Sequence, residues 1–190
     1  SPSNRVCAVA QAKLLTVPIQ NDQTFTIKGQ NYRLADILQD RSSADYYEGG
    51  TLFIYRLAVD DYHRYLASET GTVIHQRKIR GKLHTIREIA QQNFQVFKEN
   101  KRAYCLIETK KLGTIMQMEV GALLVGKIYN QPFDLYQRGE EKGWFSLGGS
   151  TILVAYPKGT VTVDQDIDYY SSLNIETQVT IGEGIGLKIC

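Results

Sequence analysis

Cysteine is scarce: Cys7, Cys105 and Cys190 are the only three, widely spaced and odd in number. Without a CxxC pair they offer neither a zinc ligand set nor a dithiol redox centre, and no disulfide framework follows. Cys7 and Cys105 lie in apolar, strand-like runs where a buried thiol is expected; Cys190 is terminal and expected to be exposed. Histidine is as sparse. His63, His75 and His84 show no HxxH, HxH or HExxH spacing, so no metal centre is expected. No Walker loop occurs, and Gly182-Glu183-Gly184-Ile185-Gly186 lacks the strand–helix context of a dinucleotide fingerprint. An excess of one charge is also missing. The balance of 22 basic and 20 acidic residues, net +2, is too small for a nucleic-acid footprint. Apolar runs stay strand-sized, as at 152–156, well short of the roughly 18 residues of a membrane span. The first five residues lack the apolar core of a signal peptide, and a start without Met predicts that an N-terminal segment has been removed. These absences predict a soluble domain of a reducing compartment.

What is present is ordinary globular material. With 43% hydrophobic and 22% charged residues, 190 residues suffice for a single domain, 1–190, with a true core. Runs rich in Val, Ile, Thr, Tyr and Leu alternate with Gly, Asn and Asp, which predicts strands over 5–10, 24–27, 51–57, 72–79, 104–108, 114–120, 151–156 and 186–189. Gln117 and Glu119 interrupt 114–120 without the clean alternation of a surface strand. Short helices are predicted at 34–38, 44–47 and around 86–96. The charge groups at 98–102 and Lys110-Lys111 read as solvated strand ends or loops. No repeat or heptad is found. The fold class that follows is mainly β (β-rich α+β), barrel- or sandwich-like, with a few short helices.

Two stretches could carry chemistry. In Leu147-Gly148-Gly149-Ser150-Thr151, two glycines let the backbone bend sharply ahead of a hydroxyl that can attack the Gly149 carbonyl and move the acyl group from nitrogen to oxygen. The same residues also describe a plain turn entering a strand. In Asp60-Asp61-Tyr62-His63-Arg64, two carboxylates, a phenol, an imidazole and a guanidinium are crowded together, a density that can tune a histidine for proton transfer. A polar turn after a strand would look alike. Spacing alone leaves both readings open.

In combination these stretches resemble the phosphatidylserine decarboxylase family of pyruvoyl enzymes over essentially the whole chain. The matching residues are Ser1-Pro2, 53–57 running into Asp60-Asp61-Tyr62-His63-Arg64, and Gly81-Lys82-Leu83-His84-Thr85. They continue through 99–102, 106–109, 120–122, 125–128, Gly139-Glu140-Glu141-Lys142-Gly143-Trp144-Phe145 and Gly148-Gly149-Ser150-Thr151. The resemblance implies a proenzyme that cleaves itself between Gly149 and Ser150. Its products would be a β chain, 1–149, and an α chain, 150–190, that begins with a covalent pyruvoyl group derived from Ser150. That group would form a Schiff base with the substrate amine and accept the electrons released with carbon dioxide. Carried over, His63 handles protons. The implied activity converts phosphatidylserine to phosphatidylethanolamine, with a phospholipid at a membrane surface and the two chains as partners. The implied location is cytoplasmic and peripheral to a membrane, and self-association into a homo-oligomer stays open.

Two positions depart from the family pattern. Asn4 stands where the family carries an aspartate that helps the serine, and Leu66 stands where it carries a second histidine. Asn4, with His84 or His63, is then the candidate assistant of self-cleavage. Two other functions remain beside the first. One is a decarboxylase of a free amino acid, aromatic ones included; the other is a processing-deficient homologue that binds lipid or protein.

Overall fold

Seven consecutive residues, Ser150–Tyr156, are buried at every position. A strand with no exposed side must lie inside a sheet that is covered on both faces, so the molecule has to be layered. The computed structural model describes residues 3–82, 96–122, 127–146 and 148–189. Its first strands are β1 (Arg5–Cys7), β2 (Ala12–Pro18), β3 (Thr24–Ile27), β4 (Gln30–Arg33) and β5 (Thr51–Leu57). The middle of the chain adds β6 (Arg64–Leu66), β7 (Gly71–Ile79), β8 (Arg102–Glu108), β9 (Thr114–Gly121), β10 (Ile128–Asn130) and β11 (Leu135–Tyr136). The last are β12 (Glu141–Phe145), β13 (Ser150–Tyr156), β14 (Val161–Val163), β15 (Thr177–Val179) and β16 (Gly184–Lys188). The helices are short: α1 (Leu34–Leu38), α2 (Arg41–Asp45), α3 (Val96–Glu99) and α4 (Gln165–Ser172).

Eight strands form one antiparallel sheet in the order β11-β7-β8-β9-β13-β5-β2-β15. One face carries Leu15, Ile54, Met116, Met118 and Leu153 and packs against the β3–β4 hairpin and α1 through Phe25, Tyr32, Leu34 and Ile37. The other face carries Leu14, Tyr55, Ile115, Ile152 and Val154. Two small sheets cover it, β10-β12-β6 and β1-β16-β14, which contribute Tyr65, Phe145, Val6, Val161 and Ile185. The result is the expected β sandwich with few short helices.

The strands at 24–27 and 51–57 and the helix at 34–38 fall where the sequence predicts them. The first strand is shorter than 5–10, because the register shifts between Val6 and Cys7 and pairing with β16 ends there. The predicted helix at 44–47 begins earlier, at Arg41. Asp40 caps it, accepting from the Ser43 N–H at 3.2 Å and the Ser43 hydroxyl at 2.6 Å. Most of the predicted helix at 86–96 lies outside the described residues. Cys7 is half-buried, unlike the expectation, and Cys105 is buried. Arg102 is the clearest correction to the charge reading: it is buried, not solvated. Its guanidinium donates to the carbonyls of Ile37 at 2.7 Å, Lys98 at 2.7 Å and Asn100 at 2.8 Å, which end α1 and α3. Burial, with Arg77 nearby, lowers its pKa to about 10.

A buried polar clasp joins the large sheet to the small one above it. Lys142 donates to Glu119 at 2.8 Å and to the side-chain oxygen of Asn130 at 3.0 Å, while the Asn130 amide donates to the second Glu119 oxygen at 2.9 Å. Simple alternation from Phe145 back through Gly143 would aim Lys142 outwards. An irregularity between Glu141 and Gly143, where β12 pairs with β6, re-aims it into the core. Burial pushes the Lys142 ammonium down, but Glu119 pulls it up further, and it stays a cation. Gly143 makes room for the clasp, since a Cβ there would press on the Tyr129 carbonyl, the Tyr65 hydroxyl and Asn130. We therefore expect Gly143→Ala to destabilise the protein by about 2–3 kcal/mol, seen as a lowered denaturation midpoint.

A second prediction concerns acid. Glu176 meets Arg56 in a two-pronged pair at 2.8 and 2.6 Å. Burial raises its carboxyl, but Arg56 and Lys28 lower it more, so it titrates below the ordinary value. A depressed carboxylate stabilises above the unfolded pKa, about 4.3, and loses that contribution as pH falls through the lower folded value. Glu176→Gln should thus cost stability at pH 7, and the gap from wild type should close in titrations below about pH 4.

Candidate active site

Leu57 ends β5, and the chain turns through 58–63 before β6. The turn closes on itself: Asp61 accepts from the Ala58 N–H at 2.8 Å and returns its own N–H to the Ala58 carbonyl at 3.2 Å. The Asp61 carbonyl lies 2.6 Å from Nδ1 of His63, and Nε2 of the same ring meets the carbonyl oxygen of Gly148. Both ring nitrogens therefore face acceptors. A neutral imidazole has one N–H to give, and only the imidazolium can donate to both. The ring is thereby fixed between its own turn and the glycine pair.

The other wall comes from β12. The Phe145 N–H donates to the His63 carbonyl at 3.1 Å, and Ser146 and Lys127 are joined at 3.0 Å through the Ser146 N–H and the Lys127 carbonyl. At Gly148 the backbone takes φ +132°, a conformation that favours glycine, and Gly149 leads into β13. Ser150 opens that strand fully buried, with its backbone paired to Leu57 on one side and Gly121 on the other. Neither its hydroxyl nor that of Thr151 has a hydrogen-bond partner among the described residues. Leaving a buried hydroxyl unsatisfied costs on the order of 1–3 kcal/mol, so an unpartnered one asks for a reason other than stability.

The structure thus brings His63 to the glycine pair that precedes Ser150, linking two stretches far apart in sequence. It does not bring Asn4 there. Asn4 is exposed, its carbonyl accepts from the Lys188 N–H at 2.8 Å, and it lines a cavity of about 940 Å³ with Glu69, Lys110, Gly113 and Thr114. Thr114 begins β9 and Gly121, opposite Ser150, ends it, a separation of roughly 23 Å at the usual strand rise. Leu66 lies on β6, its N–H on the Val9 carbonyl at 2.8 Å and its own carbonyl on the Gln117 amide at 3.0 Å. His84 falls outside the described residues. His75 is exposed, with Nε2 3.3 Å from the Tyr104 hydroxyl.

Sequence reasoning missed Glu119 as a neighbour of Ser150, and Lys142 and Asn130 as the partners of Glu119. The one available signal was the pair Gln117 and Glu119 inside an otherwise apolar strand: with Ile115 they share the face on which Ser150 lies.

Comparison with known proteins gives the family. The family model described as phosphatidylserine decarboxylase matches residues 1–187. Phosphatidylserine decarboxylase proenzyme 2 of Clostridium acetobutylicum is 40% identical over 177 residues, covering 93% of this chain and 61% of that protein. The corresponding proenzyme of Ruminiclostridium cellulolyticum is 36% identical over 97% of this chain and 66% of its own. That of Clostridium perfringens is 38% identical over 90% and 59%. The chain therefore spans about three fifths to two thirds of the length of these relatives. On a match that runs through both the His63 turn and the Gly149–Ser150 junction, the chain belongs to the phosphatidylserine decarboxylase family.

Proposed function

We propose that this chain is the catalytic part of a decarboxylase that cleaves itself between Gly149 and Ser150 and converts phosphatidylserine to phosphatidylethanolamine. The observation that carries the reading is the buried Ser150 hydroxyl, without a hydrogen-bond partner among the described residues, next to a glycine pair whose first carbonyl is held by His63. The relatives' name, proenzyme, supports processing.

The residues fit a pyruvoyl group formed in place. Ser150 supplies the hydroxyl, Gly149 the carbonyl it attacks, and the absence of side chains at 148 and 149 clears the approach. Oγ adds to that carbonyl, the C–N bond breaks, and an ester joins the two parts. Loss of the Ser150 α-proton then expels the Gly149 carboxylate, and water releases the nitrogen as ammonia. Once formed, the group supplies an electrophilic carbonyl that binds a substrate amine and draws off the electron pair left by carbon dioxide. The part of His63 is to hold the loop through Gly148 and to deliver or remove a proton at Nε2. The β5 and β9 ladders keep residue 150 fixed throughout. A phospholipid substrate calls for peripheral contact with a membrane surface, and no described helix is long and apolar enough to cross one.

The test is an intact mass under denaturing conditions. Two fragments are expected, 1–149 and a 150–190 piece lighter by one ammonia than its serine-started form, together with release of carbon dioxide from phosphatidylserine vesicles and not from free amino acids. Ser150→Ala should abolish cleavage and activity alike; activity that survives it, or a wild-type chain that stays whole on long incubation, overturns the reading. His63→Ala should lower turnover on the order of 10²–10⁴-fold, the usual contribution of a positioned proton-transfer group, and an unchanged rate removes it from the mechanism.

A further inference from the structure

The proposed chemistry requires a positively charged nitrogen to be tolerated at residue 150, inside a sandwich whose neighbouring side chains on that face are Leu57 and Ile152. Among the described strands of the large sheet, one acidic side chain shares that face: Glu119. Ser150 pairs with Gly121 and Ile152 with Glu119, so Glu119 is the diagonal neighbour of Ser150. Side chains in that relation lie within about 7–8 Å. Gly121, directly opposite Ser150, has no side chain to intervene.

Glu119 is fully buried and has both oxygens engaged, one by Lys142 and one by Asn130. The position of Lys142 gives the pair a direction. Lys142 also lines a cavity of about 440 Å³ with Gln76, Arg77, Ala103, Cys105 and Tyr136, on the β7–β8 side of Glu119. Because β9 lies between β8 and β13, the ammonium is on the far side of the carboxylate from Ser150. The negative end of the pair therefore faces residue 150. Among the described residues, the other titratable groups that face Glu119 are Cys105 from β8, Tyr65 from β6 and Tyr136 from β11. Burial raises all three, the Cys105 thiol to about 11, so they are uncharged at neutral pH and do not cancel the field.

Stability does not account for such a pair. Buried ion pairs are often replaced by apolar residues without loss, and this one demands a strand irregularity at Glu141–Gly143 and a glycine at 143. We propose that the Glu119–Lys142 pair sets the charge of the reaction centre: its carboxylate end imposes a negative potential at residue 150 that favours a protonated nitrogen and so selects amine-bearing substrates. Lys142 and Asn130 engage both Glu119 oxygens, so the carboxylate is held in a fixed orientation by charge-assisted hydrogen bonds. The identity of the amine rests on the function proposed above; the potential does not.

The potential can be read at the atom it acts on. In Ser150→Cys, the thiol at 150 is titrated by NMR of ¹³Cβ-labelled cysteine in the intact chain, its signal assigned by difference from the parent. The same measurement is made with Glu119→Gln added, and with Glu119→Gln/Lys142→Met added. Burial and the negative end together should hold the thiol above its usual value of about 8.5, and the variants separate the two. Glu119→Gln, which leaves Lys142 positive, should lower it by about one unit, and the double variant by about half a unit. Glu119→Gln alone strands a buried charge and can unfold the protein, so the neutral double variant, close in volume, decides. A folded double variant whose thiol titrates within about 0.2 unit of the Ser150→Cys chain overturns the inference. The readout does not depend on processing. A wild-type chain that fails to cleave removes the proposed activity and leaves the titration to decide this point, while intact cleavage with a flat titration removes the charge-setting role alone.

Discussion

The two layers of this molecule meet over charge as well as over hydrocarbon. Lys142 reaches down from the small sheet, Glu119 up from the large one, and Asn130 bonds to both. The local shape of β12 is arranged around that clasp. The irregularity at Glu141–Gly143 turns Lys142 inwards, a side chain at 143 would meet the Tyr129 carbonyl, the Tyr65 hydroxyl and Asn130, and Tyr65 donates its hydroxyl towards Tyr129 and Asn130 at 3.0 Å. An apolar contact could have held the sheets together with fewer conditions on the sequence, so the cost of desolvating two charges points to the site and away from the scaffold.

The site itself divides labour between rigid and bendable backbone. Ser150 is held on both sides by ladder hydrogen bonds within a strand with no exposed residue. Immediately before it, Gly148 takes a conformation that other residues resist. The Gly149–Ser150 bond thus lies where a loop meets a strand held on both flanks, and His63 is attached to the loop side through the Gly148 carbonyl. The turn that carries His63 is in turn fixed by the Asp61 side chain on Ala58, so the crowded polar stretch is both a turn and part of the site.

Much of the fold could be read from the chain because its longest strands declare themselves. Thr51–Leu57 and Ser150–Tyr156 are β-branched and aromatic runs bounded by glycine, and Leu34–Leu38 has helical spacing. The helix Gln165–Ser172 escaped because it buries only Ile167 and Ser171 and so shows no apolar stripe, and its preceding Asp164 pairs with Arg5 in place of capping it. Ala12–Pro18 escaped because Lys13 and Pro18 disguise a strand with only those two residues exposed. At the site, Ser150 and His63 were visible as motifs, but their junction through Gly148 spans 85 residues and is made by a backbone carbonyl that leaves no trace in composition. Glu119 and Lys142 were hidden for a different reason. Each is an ordinary surface residue type, and only the strand irregularity makes one of them internal. Arg102 was misread in the same way, since the helix-end carbonyls that hold it are no side chains at all.

The place of β13 in the large sheet has a consequence for a chain cut just before it. The piece from 150 onwards would own a central strand, with β5 and β9 of the other piece zipped along either flank, and β16 closed onto β1. The two polypeptides would share one core and one unfolding transition, so that parting them means melting the whole body. Scission of this kind creates a new chain end at a buried position without creating a subunit that can leave.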